Sequence, residues 1–155
     1  MAPNRMGPHK DVVDTIFSNF CLAILDTSIL FLVAQNLVKL NDIFIFSEGC
    51  NLVVPIHVVN ELNKLSAKST EKGRLALWIL RNLLGSFQII EVNLEKCKPS
   101  EADCAIIELS KTFSKDTKLI VLTADSKLRK ELIKYGVEVV WYRKAKNKLE
   151  STALF

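Results

Sequence analysis

The sequence predicts an α/β domain with three layers, in which a central, mostly parallel sheet carries helices on both faces. Five short apolar runs rich in β-branched residues alternate with segments whose apolar residues recur at helical spacing. Pro55 follows one of these runs and can begin a helix, and Gly136 stands where a helix should end before the last run. Strands that alternate with helices in this way form parallel sheets covered on both sides.

The predicted strands are CLAIL (21–25), LVV (52–54), FQIIEV (87–92), KLIVL (118–122) and VEVVWY (137–142). Apolar residues after the first strand predict one helix with the stripe Ile29, Leu30, Val33, Leu37 and Leu40. We therefore assign residues 21–142 to one domain. A flexible lead-in, residues 1–20, precedes it, and a basic C-terminal tail, residues 143–155, follows it.

Composition narrows the class of protein. The chain has 155 residues and a formal net charge of +4, which permits a nucleic-acid partner without requiring one. No apolar run reaches the length of about 18 residues that a membrane span needs, and the polar N-terminus lacks the apolar centre of a signal peptide. We expect a cytoplasmic protein that does not associate with membranes.

The four cysteines, Cys21, Cys50, Cys97 and Cys104, form no C-x-x-C pair. Only two histidines accompany them, so a zinc site is not indicated. We expect free thiols that pack as small apolar residues.

Acidic residues occupy the places where an open parallel sheet binds its ligands. Asp26 directly follows the first predicted strand, and Asp125 follows the fourth through Thr123 and Ala124. Because ligands bind outside the carboxyl ends of the strands, both carboxylates should lie at that edge of the sheet.

Two helical acids add to this pair. Glu61 borders the apolar stripe of the helix after Pro55, and Asp103 lies in a first helical turn with Ile106 and Ile107 three and four residues later. Each acid alone has an ordinary explanation as a helix cap, a first-turn charge or a surface ion-pair partner. Together they form a carboxylate cluster that needs a compensating cation. Hard oxygen ligands suit Mg²⁺ or Mn²⁺, which can activate water and hold a phosphodiester.

The order of four segments, LDTS, VVPIHVVNELNKL, EADCAIIELS and LIVLTADSKLRKEL, resembles that of a PIN domain over residues 21–142. The resemblance implies a metal-dependent nuclease, usually acting on RNA, with a central parallel sheet. It implies catalytic and metal-binding roles for the four acids, Asp26, Glu61, Asp103 and Asp125. It places Thr27, Ser28 and Thr123 as hydroxyls that support the acids or a water. Many relatives carry a further acid shortly after the position of Asp125, and this chain has Ser126, Lys127 and Leu128 there.

Basic side chains on segments that leave the same sheet edge are candidates for RNA binding. They are Lys64, Lys68, Lys72, Arg74, Lys127 and Arg129. The first interpretation is an endoribonuclease that cleaves single-stranded or looped RNA with Mg²⁺ or Mn²⁺, in RNA processing or decay. A VapC-type toxin, which would need an antitoxin partner, and a non-catalytic PIN-like module that binds RNA or protein are the alternatives. A ribosome-biogenesis protein is a further candidate partner. The apolar segment around Trp78 and the tail STALF (151–155) are candidate surfaces for homo-oligomers.

Overall fold

The computed structural model describes residues 21–113 and 117–152. The predicted lead-in, residues 1–20, and the last three residues of the predicted tail lie outside this part of the chain. The strands are β1 Cys21–Leu25, β2 Cys50–Pro55, β3 Gln88–Ile90, β4 Leu119–Thr123, β5 Glu138–Arg143 and β6 Lys148–Ser151. The α-helices are α1 Thr27–Ala34, α2 Leu40–Phe46, α3 Ile56–Ser66, α4 Glu71–Trp78, α5 Ala102–Phe113 and α6 Ser126–Lys134. Helix α4 continues through a π-helical turn, Ile79–Leu83, and a 3-10 turn, Leu84–Ser86.

The sheet has the strand order β3-β2-β1-β4-β5-β6. The first five strands are parallel, and β6 is antiparallel to β5. The chain builds outward from β1 to β3 on one side and then crosses to build β4 to β6 on the other. The strand order therefore reverses between β1 and β4, which is where open α/β sheets form their ligand crevice. The predicted α/β class with a mostly parallel sheet is confirmed.

Two hydrophobic cores cover the two faces of the sheet. Successive strand residues point to opposite faces, so Ala23 and Leu25 contact the core of α1 to α4. Leu22 and Ile24 contact the core of α5 and α6. All four side chains are fully buried, and burial of this kind stabilises a domain by roughly 25 cal/mol per Å² of apolar surface. The end of β1 is thereby fixed between the two layers.

The single helix predicted after β1 is in fact two helices. Helix α1 ends at Ala34, and Asn36 has a left-handed backbone with φ of 60°, which breaks the helical path. Leu37 is half exposed rather than part of the buried stripe. Leu40 begins α2, whose Ile43 is fully buried. The apolar spacing across the break agreed with a helix by coincidence.

Strand β6 was not predicted. Its residues Lys148–Ser151 alternate between exposed or half-exposed polar positions and the buried positions Leu149 and Ser151. With a single large apolar side chain, this run lacks the pattern of a strand. Its pairing with β5 places part of the predicted basic tail within the sheet.

The prediction of free cysteines is wrong. Cys21 is bonded to Cys50, and Cys97 is bonded to Cys104. Cys21 and Cys50 are directly opposite each other in the β1–β2 register, so the pairing of the strands brings the two sulfurs together. The cysteines therefore give no support to the expected cytoplasmic location. Separately, no helix in the described ranges combines the length and apolar character needed to cross a membrane.

Gly73 allows α3 and α4 to pack closely. A Cβ atom at this position would collide with the backbone carbonyl oxygen of Lys68 and would lie 2.8 Å from that of Leu65. The hydroxyl of Thr70 caps α4 by accepting a hydrogen bond of 3.0 Å from the Gly73 N–H. This close packing sets the position of Lys72, one residue earlier.

Candidate active site

The carboxyl ends of β1 and β4 meet at the point where the strand order reverses. Asp26 is the first residue after β1, and its N–H donates a 3.0 Å hydrogen bond to the carbonyl oxygen of Leu122 in β4. Asp125 lies two residues beyond the end of β4. The backbone thus places both acids at the crevice that the sequence predicted.

Two hydroxyl groups hold the buried carboxylate of Asp26. Ser28 Oγ and Thr123 Oγ1 donate hydrogen bonds to Asp26 Oδ2 at 2.7 and 2.8 Å. The same two hydroxyls lie 3.2 Å apart, and Ser28 Oγ accepts a 2.8 Å hydrogen bond from the Ala124 N–H. This network ties the turn after β1 to the turn after β4 and fixes the orientation of the Asp26 side chain.

Burial raises the pKa of Asp26 above its ordinary value. The hydrogen bonds from Ser28 and Thr123 oppose that rise, and the neighbouring Asp125 carboxylate adds to it. The loss of water is the largest of these effects, so a charged Asp26 is held at a cost in free energy.

Asp125 begins α6 as its N-cap. Its Oδ1 accepts hydrogen bonds from the N–H groups of Lys127 and Leu128 at 2.8 and 3.2 Å. Its own N–H donates to Thr123 Oγ1 at 3.0 Å. A carboxylate in this position is also favoured by the positive end of the helix dipole. Asp125 therefore caps a helix and lines the crevice at the same time.

Glu61 reaches the crevice from the second turn of α3 and is half-buried. Burial raises its pKa, and the Asp26 carboxylate adds to the rise, while the Thr27 hydroxyl and the Lys72 ammonium lower it. The hydroxyl oxygen of Thr27 is buried and makes no hydrogen bond within the described part of the chain. Thr27 is therefore close enough to Glu61 to affect its pKa, but its hydroxyl makes no hydrogen bond of full geometry at the wall of the crevice.

Asp103 lies in the first turn of α5, at the exposed rim of the crevice. Partial loss of water, followed by the charges of Asp26, Asp125 and Glu61, raises the pKa of its carboxyl to about 6. All three other acids contribute to this shift. The carboxylates from four separate elements therefore repel one another across one space.

This space is a cavity of about 410 Å³. Its wall contains all four predicted acids, two of the three predicted hydroxyl residues and one predicted RNA-binding residue. The lining residues are Asp26, Thr27, Ser28, Phe31, Glu61, Lys72, Ser100, Glu101, Ala102, Asp103, Cys104 and Asp125. The third hydroxyl residue, Thr123, is fully buried directly beneath, where it bonds to Asp26.

The cavity fits a hard divalent cation in chemistry but is not a closed cage. Within residues 21–113 and 117–152, no three His, Cys, Asp or Glu side chains are grouped tightly enough to enclose a metal ion. Mg²⁺ usually keeps several waters and binds through one or two carboxylates together with substrate phosphates. The mutually repelling carboxylates and the unpartnered Thr27 hydroxyl supply oxygen ligands of the kind that such a hydrated ion needs.

The predicted basic residues do not all gather at the cavity. Lys72 lies at its wall, with its Nζ 5.5 Å from the centre of the Phe31 ring. Arg129 stacks on Trp141 in β5, with its Cζ 3.9 Å from the ring centre. The other four, Lys64, Lys68, Arg74 and Lys127, are exposed and outside the cavity wall.

Sequence reasoning missed five wall residues, Phe31, Ser100, Glu101, Ala102 and Cys104, and two of them have bonds of their own. Glu101 accepts a 2.7 Å hydrogen bond from the Lys98 N–H, and Cys104 is bonded to Cys97. Their closeness in sequence to Asp103 was the available signal. The loop from Cys97 to α5 forms one wall of the cavity, which could not be read from apolar spacing.

A parallel α/β sheet with an acidic cavity at its reversal point defines a class of domains that bind ligands at the strand ends. The family model described as "PIN like domain" matches residues 23–145 of this chain. The protein therefore belongs to the PIN-like domain family, whose fold is generally of the nuclease type. The resemblance inferred from the sequence is confirmed.

The chain is also similar in fold to a solved structure described as a domain of a functionally unknown protein from Methanocaldococcus jannaschii DSM 2661. The two share 19% sequence identity with a TM-score of 0.54, and the match covers 84% of this chain and 96% of the other. At this identity the likeness concerns the fold alone. A comparison with curated proteins finds no match.

Proposed function

We propose that this protein is a metal-dependent endoribonuclease that hydrolyses phosphodiester bonds of single-stranded or looped RNA in RNA processing or decay. The supporting observation is the set of four carboxylates, from four separate elements, that line one cavity. Partial loss of water, followed by the charges of the other three acids, raises the pKa of Asp103 to about 6. Repulsion of this kind is unfavourable for folding and has no structural benefit of its own. A divalent cation and a phosphate-bearing substrate would offset it.

The residues that would hold Mg²⁺ or Mn²⁺ are Asp26, Glu61, Asp103 and Asp125. When bound, the ion would supply an activated water and would stabilise the charge that develops on the phosphodiester. Ser28 and Thr123 keep Asp26 in one orientation through their hydrogen bonds to Oδ2. Hydrogen bonds that orient metal-binding carboxylates typically matter by a factor of about 10 to 100 in affinity or activity.

RNA would be held beside this cavity by positive charge. Lys72 lies at the wall between Glu61, whose pKa it lowers, and the ring of Phe31. From this position its ammonium can pair with a substrate phosphate next to the acids. The cavity has an open rim formed by Asp103 and Glu101, which are exposed, so an extended strand has access.

Cleavage of a labelled single-stranded RNA in Mn²⁺ or Mg²⁺ tests the proposal. We expect Asp26→Asn and Asp125→Asn to lower the cleavage rate by more than about a hundredfold, since each removes a ligand rather than an orienting group. Glu131→Gln is the control, because within the described part of the chain the ion pair of Glu131 is with Lys134, at 3.2 Å on the surface of α6. Full activity in both aspartate variants, each shown to be folded, would contradict the proposed site.

One observation favours a second candidate, a non-catalytic module that binds RNA. Lys64, Lys68, Arg74 and Lys127 are exposed outside the cavity wall, where they can contact RNA without a metal ion. If the protein is a non-catalytic module, it binds RNA equally well in EDTA and in Mg²⁺ and cleaves no RNA. If the nuclease is correct, Mg²⁺ or Mn²⁺ raises the melting temperature of the wild type and not that of Asp26→Asn, because a ligand that binds only the folded state stabilises it.

A further inference from the structure

The hairpin formed by β5 and β6 extends past the edge of the sheet that carries the acids. Thr123, the last residue of β4, pairs with Trp141 in β5, so the two following residues of β5 continue beyond β4. The chain then reverses through the turn Lys144–Lys146 and returns with Lys148 opposite Arg143. With strands about 4.8 Å apart, this turn lies roughly 10 to 15 Å from the end of β1 across the sheet.

Four basic residues lie in or next to the turn of the hairpin, and Glu150 is the acid that pairs with them. They are Arg143, Lys144, Lys146 and Lys148. Glu150 pairs with Arg143 at 3.2 Å and with Lys146 at 3.8 Å. Among the described residues, Lys144 and Lys148 take part in no ion pair, and the three lysines are exposed. Lysine on an edge strand can prevent sheets from joining, which accounts for Lys148. It does not account for two further lysines in the turn.

Two local features define the geometry of the turn. Asn147 has a left-handed backbone with φ of 50°, as a tight reversal requires, and its Oδ1 accepts a 3.1 Å hydrogen bond from the hydroxyl of Tyr142. A binding element that is already ordered loses less conformational entropy when its ligand arrives. The lysine backbone positions are therefore set in advance.

A basic residue, Arg129, lies between the cavity and the hairpin. Arg129 lies one helical turn after Asp125 and stacks on Trp141, which pairs with Thr123. From Asp125, the path across Arg129 to Arg143 crosses two adjacent strands on one face of the sheet. A single strand leaving the cavity in this direction would meet Arg129 and then Arg143, with Glu150 beside them.

We propose that the β5–β6 hairpin is a phosphate-binding arm that holds single-stranded RNA on the β6 side of the cavity. Lys144, Lys146 and Lys148 contact backbone phosphates, and Glu150 keeps Arg143 in place beside them. This inference rests on the proposed RNA substrate, but it concerns binding and not hydrolysis. It assigns a function to residues that the sequence presented only as a basic tail.

The test measures the affinity of the full chain for a fluorescent oligouridine, by anisotropy, in EDTA over a range of salt concentrations. The variant Lys144→Ala/Lys146→Ala changes only the turn and leaves β6 intact. The control Lys118→Ala/Lys134→Ala removes the same charge at the opposite edge, where β4 begins and α6 ends. Each pair contains one lysine in a surface ion pair, with Glu150 or with Glu131.

We expect the turn variant to bind several-fold more weakly, with a slope of log Kd against log salt that is smaller by about 1.4. That value corresponds to about 0.7 for each of two lost phosphate contacts on a single strand. The control should keep the wild-type slope. If both variants show the same slope of log Kd against log salt, or lose the same RNA affinity, the proposal of a phosphate-binding arm is wrong.

A further result would also overturn it. If the turn variant loses affinity for polyglutamate and keeps that for RNA, the hairpin binds an acidic protein instead. The two proposals can fail separately. A smaller salt dependence in the turn variant without metal-dependent cleavage by the wild type would reject the nuclease proposal and support the phosphate-binding arm. Metal-dependent cleavage with an unchanged salt dependence would reject the arm and support the nuclease.

Discussion

At the scale of single residues, the cavity is lined by four carboxylates that repel one another at a cost in stability. The pKa of Asp103 is raised to about 6 by loss of water and by three acidic neighbours. An acid with a raised pKa in the folded state binds more protons there than in the unfolded chain. Its contribution to stability is therefore complete below its unfolded pKa near 3.8 and is lost as the pH rises to about 6.

We expect Asp103→Asn to stabilise the metal-free protein at pH 7 and to have little effect at pH 3.5. The gain should be on the order of 1 kcal/mol, because Asp103 is exposed at the rim and solvent screens its repulsion. Urea unfolding of both proteins in EDTA at the two pH values measures the difference. The same gain at both pH values would show that the charge of Asp103 is not its cause.

At the scale of elements, the two disulfides constrain opposite edges of the sheet. Cys21–Cys50 joins the beginnings of β1 and β2, away from the acids. Cys97–Cys104 joins the loop before α5 to its first turn, next to Asp103, and Cys104 lines the cavity. The first closes a loop with a separation of 29 residues and the second one of 7.

Removing each disulfide in turn should show which one affects stability more and which one affects activity more. The two variants are Cys21→Ser/Cys50→Ser and Cys97→Ser/Cys104→Ser. From loop entropy alone, the first should lose about 3.5 kcal/mol of unfolding free energy and the second about 2.5 kcal/mol. We expect the second to lose more of its RNA cleavage, because it frees a wall of the cavity. Urea titrations and cleavage rates, measured on fully folded samples, check both expectations. Equal cleavage by the two variants would mean that the wall does not need its disulfide.

Helix packing allows a second test at this scale. Gly73→Ala should destabilise the protein by about 1 to 3 kcal/mol, because the new methyl group meets the backbone carbonyl oxygens of Lys68 and Leu65, which cannot move aside easily. Gly85→Ala is the matched control. A Cβ atom at Gly85 has no neighbour within 4 Å, and its backbone angle is not left-handed, so we expect a neutral or slightly stabilising change. Comparable thermal unfolding of both variants would contradict the close approach of α3 and α4.

At the scale of the whole molecule, the sequence predicted what depends on local spacing. Asp26 and Asp125 were found because they follow apolar strands, and strand ends in a parallel sheet share an edge. Glu61 and Asp103 were found from their helical neighbours. Their convergence on one cavity is now a structural observation, whereas their binding of metal stays a prediction.

Features that depend on long-range packing escaped prediction. The disulfide between Cys21 and Cys50 follows from the β1–β2 register, which no local pattern contains. Strand β6 has too few apolar residues to be recognised alone and forms because β5 offers it an edge. Lys72 lines the cavity and Lys64 and Lys68 do not, a difference that the helical spacing of these residues does not contain.

Because the strand order reverses between β1 and β4, the two halves of the chain each contribute part of the cavity wall. Asp26 and Glu61 belong to the half of the chain that ends with β3, and Asp103 and Asp125 belong to the half that begins with α5. If the chain were cut between these halves, each fragment would carry only two of the acids, and their repulsion would be met in full only on reassociation. A divalent cation bound to all four acids would offset this repulsion and favour association of the fragments. The metal that is proposed to support RNA cleavage would then also promote reassembly of a split protein.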